Sequence, residues 1–249
     1  MKKLIELSNY TIKYKDKEIL KDVNFTFMAG NVYLIEGNNG VGKSTFVKSL
    51  LGFERDQKVQ TGSICFENGK NVLNMNDNEL QMLRSKVAYL EQKDDYSFNI
   101  SVLEILKDSY KAFLGKKLNK EDVEYLVGVF NSFSSEVNFD LKRKVNKLSG
   151  GQQRMLSIIS SICLRKDADV FILDEPLNNL DINNVVRISN ILNKIVHEKK
   201  DSVFIMITHC KIFPFVTDVL KIENNTLQHD GNIAECYACF GKPDENGYY

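Results

Sequence analysis

The first part of the chain alternates between apolar and polar residues at the short period typical of β-strands. The segments LIELSNYTIKY and EILKDVNFTF, within residues 4–36, are rich in β-branched and aromatic residues and predict two strands. The segment NVYLIEG predicts a third strand that ends in a glycine-rich turn. The chain is therefore expected to begin with β-structure.

Residues 97–147 show a helical period instead. Ser101 and Glu104 have the spacing of a capping box, in which two side chains bond the free N–H groups of a helix start. Asn119 predicts the start of a second helix that runs through Phe130. The first helix carries an apolar stripe made of Leu103, Leu106, Tyr110, Phe113 and Leu114.

The last part of this zone, residues 131–147, is polar and predicts no further helix. Four cations lie close together in it, namely Lys142, Arg143, Lys144 and Lys147. A cluster of like charges is typical of solvent-exposed chain, so we expect a solvated linker here.

The remaining part alternates between helical and strand patterns. The segments DVFILD and SVFIMIT are continuous apolar runs, as expected of parallel strands buried on both faces. Two amphipathic helices are predicted beside them, and Asp181 can cap the second. Their apolar faces are Met155, Ile158, Ile159, Ile162 and Cys163, and Val185, Ile188, Leu192, Ile195 and Val196. This alternation predicts an α/β fold with a parallel sheet.

Composition and charge narrow the class of protein. Lys and Arg together number 33, as do Asp and Glu, so the formal net charge is zero. This balance gives no support to nucleic-acid binding through a broad basic surface, and we expect no nucleic-acid partner. No apolar run approaches the roughly 18 residues of a membrane-spanning helix, and residues 1–17 lack the apolar core of a secretory signal. We therefore expect a cytoplasmic chain that serves a membrane only through another subunit.

The five cysteines are scattered and odd in number, which fits reduced thiols. Cys236 and Cys239 form a lone CxxC pair, whereas a zinc site needs about four ligands. Cys210 and His229 could supply the others, but the spacing favours an incidental pair.

A phosphate-binding loop is predicted between the third strand and an apolar helix. The segment GNNGVGKST matches the pattern G-x-x-x-x-G-K-[ST], in which backbone N–H groups surround phosphate oxygens. Lys43 is expected to reach the β- and γ-phosphates, and the Ser44 hydroxyl to bind Mg²⁺. The candidate nucleotide-binding residues are Gly37, Asn38, Asn39, Gly40, Val41, Gly42, Lys43, Ser44 and Thr45.

Two carboxylates follow the apolar run VFIL. Asp174 ends a predicted buried strand, where a carboxylate can hold Mg²⁺ through water. Glu175 comes next and is expected to act as the base that polarises the attacking water. Alone, this pair would more simply be a solvated strand end, but the phosphate-binding loop in the same chain favours a nucleoside triphosphate site.

Together these motifs resemble those of the ATP-binding cassette (ABC) ATPases, over residues 4–231. The segment LSGGQ is close to diagnostic of that family and corresponds to its signature motif. The other motifs occur in the family order: GNNGVGKST as Walker A, Gln92 in AYLEQ as the Q-loop glutamine, VFILDEP as Walker B, LNNLD as the D-loop and His209 in ITHC as the switch histidine.

The resemblance implies a P-loop NTPase with a mostly parallel sheet and an N-terminal antiparallel β subdomain. An α-helical subdomain, at about residues 97–147, would be inserted between the Q-loop and the signature. One ABC ATPase domain would cover residues 1–231, followed by a short polar tail over residues 232–249.

The resemblance also implies roles for single residues. Tyr14 would stack on adenine, although alone it reads as a half-buried strand aromatic. Gln92 would contact Mg²⁺ or the attacking water, and its simpler interpretation is a surface glutamine. His209 would contact the γ-phosphate and hold the water in line with Glu175. Asp181 would belong to a D-loop that spans the dimer while also capping its own helix.

The signature turn is expected to serve an ATP bound to a partner. The first N–H groups of the helix that it opens are expected to lack partners and to form an anion site. The resemblance implies that Ser149, Gly150, Gly151 and Gln152 meet the nucleotide held by a second ABC subunit. Two positions depart from the usual pattern. Arg154-Met155 stands where many members have Gln-Arg, and Leu177 stands where Thr or Ser is usual.

The implied function is that of the ATP-hydrolysing subunit of a membrane transporter, with ATP and Mg²⁺ as cofactors. It would form a homo- or heterodimer, sit peripherally on the cytoplasmic face of the membrane and drive separate transmembrane permease subunits. The alternative is a soluble ABC ATPase that acts on protein partners, for example in iron–sulfur cluster assembly. Neither the cargo nor the direction of transport follows from the sequence.

Overall fold

The computed structural model describes residues 2–15, 17–67, 69–92, 99–133, 139–165, 167–178, 180–208 and 213–230. A three-stranded antiparallel sheet of order β2-β1-β4 is formed by β1 (Lys3–Tyr14), β2 (Lys17–Met28) and β4 (Lys58–Phe66). The predicted strands of residues 4–36 are therefore confirmed, whereas β4 was not expected because its segment mixes polar residues and a glycine. The third predicted strand is β3 (Val32–Glu36), which belongs to a second sheet.

The second sheet has six strands in the order β5-β6-β7-β3-β8-β9. Neighbouring strands run parallel except for the last pair, which is antiparallel. That pair is a hairpin whose turn residues Asn224 and Asn225 have φ angles of 48° and 59°. The strands not yet given are β5 (Val87–Leu90), β6 (Val170–Asp174), β7 (Val203–Ile207), β8 (Asp218–Glu223) and β9 (Thr226–Asp230). The mostly parallel sheet is as predicted.

The central strands β6 and β7 are buried along their whole length, as their continuous apolar sequences predict. Alternate side chains enter different cores because successive residues of a strand point to opposite faces. Val170 and Ile172 face the core shared with the antiparallel sheet, while Phe171 and Leu173 face the opposite core. The sheet is therefore the middle layer of the molecule.

Helices cover the sheet and connect its strands. They are α1 (Lys43–Leu50), α2 (Asp77–Ser85), α5 (Gly150–Ile158) and α6 (Ile182–Glu198). Helix α2 was not predicted, although Asn76 and Glu79 form a capping box at its start. Helix α6 begins as predicted, because Asp181 Oδ1 accepts a hydrogen bond of 3.0 Å from Asn184 N.

Helix α5 is followed by a five-residue π-helical segment, Ile159–Cys163, instead of continuing as a regular α-helix. Its widened turn is closed by a hydrogen bond of 3.1 Å from Leu164 N to Ile159 O. Ile158 and Ile162 then face the sheet, while Ile159 and Leu164 face a third, helical core. The apolar side chains of this segment and its neighbours therefore pack into two different cores. A single apolar stripe on a regular helix does not predict this.

The helical core is built on α3 (Val102–Leu114) and α4 (Lys120–Phe133), which lie in sequence between β5 and β6. The predicted capping box is present, with Glu104 N bonded to Ser101 Oγ at 3.2 Å and Ser101 N bonded to Glu104 Oε2 at 2.6 Å. Helix α4 runs three residues beyond the predicted Phe130. The domain boundaries inferred from the family resemblance stay a prediction.

The expected solvated linker is wrong for residues 139–147. Phe139, Leu141 and Val145 are buried in the helical core, because they occur between the cations and turn inwards. The backbone is also paired, with a hydrogen bond of 2.8 Å from Leu103 N to Leu141 O. The cations Lys142, Lys144 and Lys147 are exposed, as the charge pattern predicts.

The antiparallel sheet is joined to α1 through one buried hydroxyl. Tyr10 is fully buried, and its Oη lies 2.7 Å from Ser49 Oγ on α1 and 2.8 Å from Gln60 Oε1 on β4. Ser49 Oγ in turn donates to Phe46 O at 2.6 Å. Because α1 begins at the predicted phosphate-binding loop, this contact helps to position that loop.

We expect Tyr10→Phe to lower the free energy of unfolding by about 1–2 kcal/mol, because it removes a hydrogen-bond partner from the buried Ser49 and from the half-buried Gln60. Tyr14→Phe is the matched control. Its hydroxyl donates an exposed hydrogen bond to Gln57, so its removal should cost less than about 0.5 kcal/mol. Urea denaturation measures both, and equal losses would contradict a structural role for the Tyr10 hydroxyl.

Candidate nucleotide-binding site

The predicted phosphate-binding loop connects the carboxyl end of β3 to the start of α1. Gly42 is the N-cap of α1 with a φ angle of 116°, a conformation that favours glycine. A Cβ at Gly42 would lie 2.4 Å from Cγ2 of Ile19, so the loop packs directly against β2. The Lys17 ammonium, also on β2, donates a hydrogen bond to Gly40 O. The antiparallel sheet therefore supports the loop.

Lys43 folds back over this loop. Its Nζ donates to Gly37 O at 2.7 Å and to Asn38 O at 3.3 Å. Burial lowers the pKa of the Lys43 ammonium, and the nearby charges of Glu175 and Asp174 partly offset that effect. The structure thus brings the lysine of the loop and the two carboxylates together, as the sequence predicts for a triphosphate site.

Asp174 ends β6 and is 1% exposed. Burial raises the pKa of its carboxyl group, which the hydrogen bond from the Ser44 hydroxyl opposes. Its Oδ1 atom is buried and has no hydrogen-bond partner among the described residues. A buried carboxylate oxygen without a partner is costly, and an oxygen-binding cation would satisfy it. Ser44 and Asp174 therefore have the chemistry that Mg²⁺ requires.

Glu175 is largely buried and has a φ angle of 49°, in the left-handed region that non-glycine residues rarely adopt. Its N–H donates to Ile207 O of β7 at 2.8 Å, and its carbonyl accepts from Asn178 N at 3.2 Å. Such a conformation costs about 1–3 kcal/mol and persists only where the surroundings hold it. The turn directs the Glu175 side chain to the region of Lys43.

For the remaining residues of the predicted site, the structure shows the element to which each belongs. Tyr14 ends β1, is paired with Lys17 across the sheet and bonds Gln57 Oε1 at 3.0 Å. Gln92 is exposed just beyond β5, at the same edge of the sheet as Asp174. Val41 and Thr45 belong to the loop and to α1. His209, together with Cys210, Cys236 and Cys239, lies outside the described residues.

The signature turn forms a capping box of its own. Gln152 N donates to Ser149 Oγ at 3.3 Å, and Ser149 N donates to Gln152 Oε1 at 3.1 Å. The expectation that the first N–H groups of this helix lack partners is therefore wrong for Gln152, because the side chain of Ser149 reaches it. Ser149 and Gly150 are both exposed.

Gly151 has a different role from Gly150. A Cβ at Gly151 would lie 2.6 Å from Nδ2 of Asn184, whereas a Cβ at Gly150 would meet no atom within 4 Å. Asn184 belongs to the first turn of α6, which Asp181 caps. Gly151 therefore lets the signature turn pack against the helix that follows the D-loop, and Gly150 leaves the outer surface open.

Arg154 is a site residue that the motifs did not identify. It is 2% exposed on α5, and among the described residues its guanidinium donates to four backbone carbonyls. The acceptors are Glu91 O, Asp174 O, Glu175 O and Pro176 O. A signal was present in the sequence, since a cation on the mostly apolar face of α5 requires partners.

In the part of the chain that the structure describes, no helix is both long enough and apolar enough to cross a membrane.

Comparison with known proteins identifies the family. Residues 20–178 match the ABC transporter family. The energy-coupling factor transporter ATP-binding protein EcfA of Aster yellows witches'-broom phytoplasma is 30% identical, over 88% of this chain and 75% of that protein. The probable peptide export ATP-binding protein YydI of Bacillus subtilis is 28% identical, over 82% of this chain and 83% of that protein.

A solved structure has the same fold. The dimeric post-hydrolysis state of the ATP-binding cassette MJ0796, bound to ADP and Pi, superposes with a TM-score of 0.76 at 22% identity. The match covers 91% of this chain and 98% of that one. The phosphate-binding loop, the paired carboxylates and the signature turn thus occur on the fold of the family, and the chain belongs to the ABC transporter family as one of its ATP-hydrolysing cassettes.

Proposed function

We propose that this cassette holds MgATP between its own phosphate-binding loop and the signature turn of a second ABC subunit. One observation carries the proposal. Lys43, Ser44, Asp174 and Glu175 converge at the carboxyl ends of β3 and β6, and a buried oxygen of Asp174 there has no partner among the described residues. In open α/β sheets this edge is where ligands bind.

Each residue of the phosphate side has a distinct role. The backbone N–H groups of residues 37–45 surround the phosphate oxygens, and the Lys43 ammonium neutralises charge on the β- and γ-phosphates. Ser44 and Asp174 would hold Mg²⁺, with Gln92 beside it, and the ion would supply positive charge to offset that of the phosphates. Tyr14 packs on the adenine ring.

Glu175 acts on the attacking water. Its carboxylate accepts a hydrogen bond from that water and polarises it towards the γ-phosphate. The fixed backbone turn keeps the carboxylate in place before the nucleotide arrives, so little reorganisation is needed during the reaction. His209, which follows the end of β7 by two residues in the sequence, is expected to complete this arrangement.

The signature turn supplies the other half of the site. The Ser149 hydroxyl accepts a hydrogen bond from Gln152 N, so its own proton remains to be donated to the γ-phosphate held by the partner. The exposed Gly150 permits close approach of that phosphate, and Gly151 and Gln152 shape the turn behind it. Asp181, beside this turn, contributes to the same interface between cassettes.

Transport requires a partner in the membrane. We place the cassette on the cytoplasmic face, where closing and reopening of the dimer would move separate permease subunits. The named relatives are ATP-binding proteins of different transport systems, one for peptide export and one an energy-coupling factor transporter. Cargo selection is therefore assigned to the permease, and the named relatives favour transport over the alternative of iron–sulfur cluster assembly.

We expect Lys43→Ala to weaken ATP binding about 100-fold, because it removes charge-assisted hydrogen bonds to the phosphates. Lys194→Ala is the control, since Lys194 is an exposed residue of α6 whose ammonium lies 3.9 Å from Glu198 Oε1 and far in sequence from the loop. Isothermal calorimetry of both variants with MgATP measures the effect. Equal affinities would refute the assignment of the phosphate-binding loop.

Glu175→Gln is expected to lower kcat about 100- to 1000-fold while ATP binding is retained, because an amide of the same shape cannot act as a base. Binding without hydrolysis should then trap an ATP-bound dimer, visible by size-exclusion chromatography with ATP. Glu223→Gln, an exposed change on β8, should behave as wild type. A Glu175→Gln protein that stays monomeric would count against the composite site.

Ser149→Arg separates the two halves of the site. The monomer should bind ATP with unchanged affinity, while dimer formation and hydrolysis are lost, because a long cation fills the space needed by the partner's nucleotide. Ser85→Arg provides the control, since Ser85 is exposed at the end of α2. Hydrolysis at the wild-type rate by Ser149→Arg would show that the signature does not contact ATP.

A further inference from the structure

The Arg154 guanidinium joins three parts of the nucleotide site, namely the signature helix α5, the start of the Q-loop and the turn that carries Asp174 and Glu175. Nη1 donates to Glu91 O at 2.8 Å, next to the Q-loop glutamine. Nη2 donates to Asp174 O at 3.0 Å and to Glu175 O at 2.7 Å, and Nε donates to Pro176 O at 3.1 Å. The ends of β5 and β6 are therefore held by one side chain from the helix that the signature turn begins.

The planar guanidinium suits this task, because its donors point outward in a rigid fork. The strands β5 and β6 are neighbours and are paired up to Leu90 and Leu173. Beyond that pair the sheet no longer fixes their spacing. Arg154 continues the connection past the last pair, so the Q-loop start and the carboxylate turn keep one relative position.

The contact at Glu175 is the most consequential. The backbone of Glu175 has a φ angle of 49° and needs support from its surroundings. Its N–H is held by Ile207 O at 2.8 Å, and its carbonyl is held by Arg154 at 2.7 Å. These two bonds fix the peptide groups on either side of the Cα atom, and they thereby fix the direction in which the carboxylate projects.

The same helix also begins at the signature turn. Ser149 caps α5, and Arg154 follows five residues later, about 7.5 Å along a helix axis. Ser149 is assigned to the ATP of the partner, whereas Arg154 contacts the carboxylate turn of its own protomer. A displacement of α5 would therefore reach the backbone of Glu175 through one side chain.

We propose that Arg154 is a positioning residue that couples the two ATP sites of a dimer by linking the signature helix to Glu175 and the Q-loop. The proposal rests on the composite site described above. It also gives a reason for the departure of this chain from the usual Gln-Arg pair. A glutamine amide has two donors and cannot serve four carbonyls, whereas the neighbouring Met155 is buried in the helical core.

The test compares Arg154→Lys with Arg84→Lys in the purified full-length chain. Arg84 is the matched control, because it also donates to two carbonyls, Leu51 O and Gly52 O, both at 2.9 Å, but on the far end of α1. Lysine keeps the charge but cannot bond all the carbonyls at once. Thermal unfolding confirms folding, calorimetry gives the ATP affinity, and steady-state assays give kcat, KM and the Hill coefficient for ATP.

For Arg154→Lys we expect kcat to fall at least about 10-fold, because a small displacement of the base is costly, while KM and Kd stay within about 3-fold. The Hill coefficient should fall from about 2 towards 1. Arg84→Lys should keep the wild-type kcat and Hill coefficient. If Arg154→Lys does not fold, Arg154→Met carries the same test without a buried charge or a donor for the carbonyls, with the same expected results.

Three results would overturn the proposal. A kcat loss no larger than that of Arg84→Lys would make Arg154 merely structural. A loss confined to ATP affinity would exclude positioning of Glu175. A wild-type Hill coefficient of about 1 would exclude coupling. If Glu175→Gln fails to dimerise with ATP, the composite site is overturned instead. The comparison of kcat between the two arginine variants can still be made in that case, because it does not depend on the composite site.

Discussion

Burial of β6 and β7 on both faces is the constraint on which the site depends. Within these strands a polar side chain would lose its water without gaining a partner, so polar chemistry can appear only where the strands end. Asp174 is the last residue of β6 and Glu175 the first beyond it. Because neighbouring parallel strands end at one edge, the same constraint brings both carboxylates to the loop after β3.

The charged side chains at that edge of the sheet each make defined contacts. The Lys43 ammonium bonds loop carbonyls and lies near two carboxylates, and Asp174 accepts from Ser44 while keeping one buried oxygen for a cation. The Arg154 guanidinium instead bonds backbone carbonyls. We propose that the first two groups bind the nucleotide and its Mg²⁺, whereas the third holds the backbone at Asp174 and Glu175.

Prediction from the sequence succeeded where a local pattern is strong. The strands of residues 4–36, β6, β7 and the capped starts of α3 and α6 follow from periodicity and from capping residues within one turn. Strand β4 and the burial of Phe139, Leu141 and Val145 were missed, because these apolar residues are interrupted by polar ones and are buried by partners distant in sequence. Two missed elements did have local signals, namely the capping box of α2 and the Asn224-Asn225 turn between β8 and β9.

The sequence by itself predicted which residues would bind phosphate and Mg²⁺, since these roles depend on residue type and spacing within short segments. Tertiary structure decided how the segments meet. The contact of Gly151 with Asn184 and the four carbonyls bonded by Arg154 join residues far apart in the chain. Such contacts depend on strand order and helix packing, which no local pattern specifies, because they arise from burial of the whole sheet.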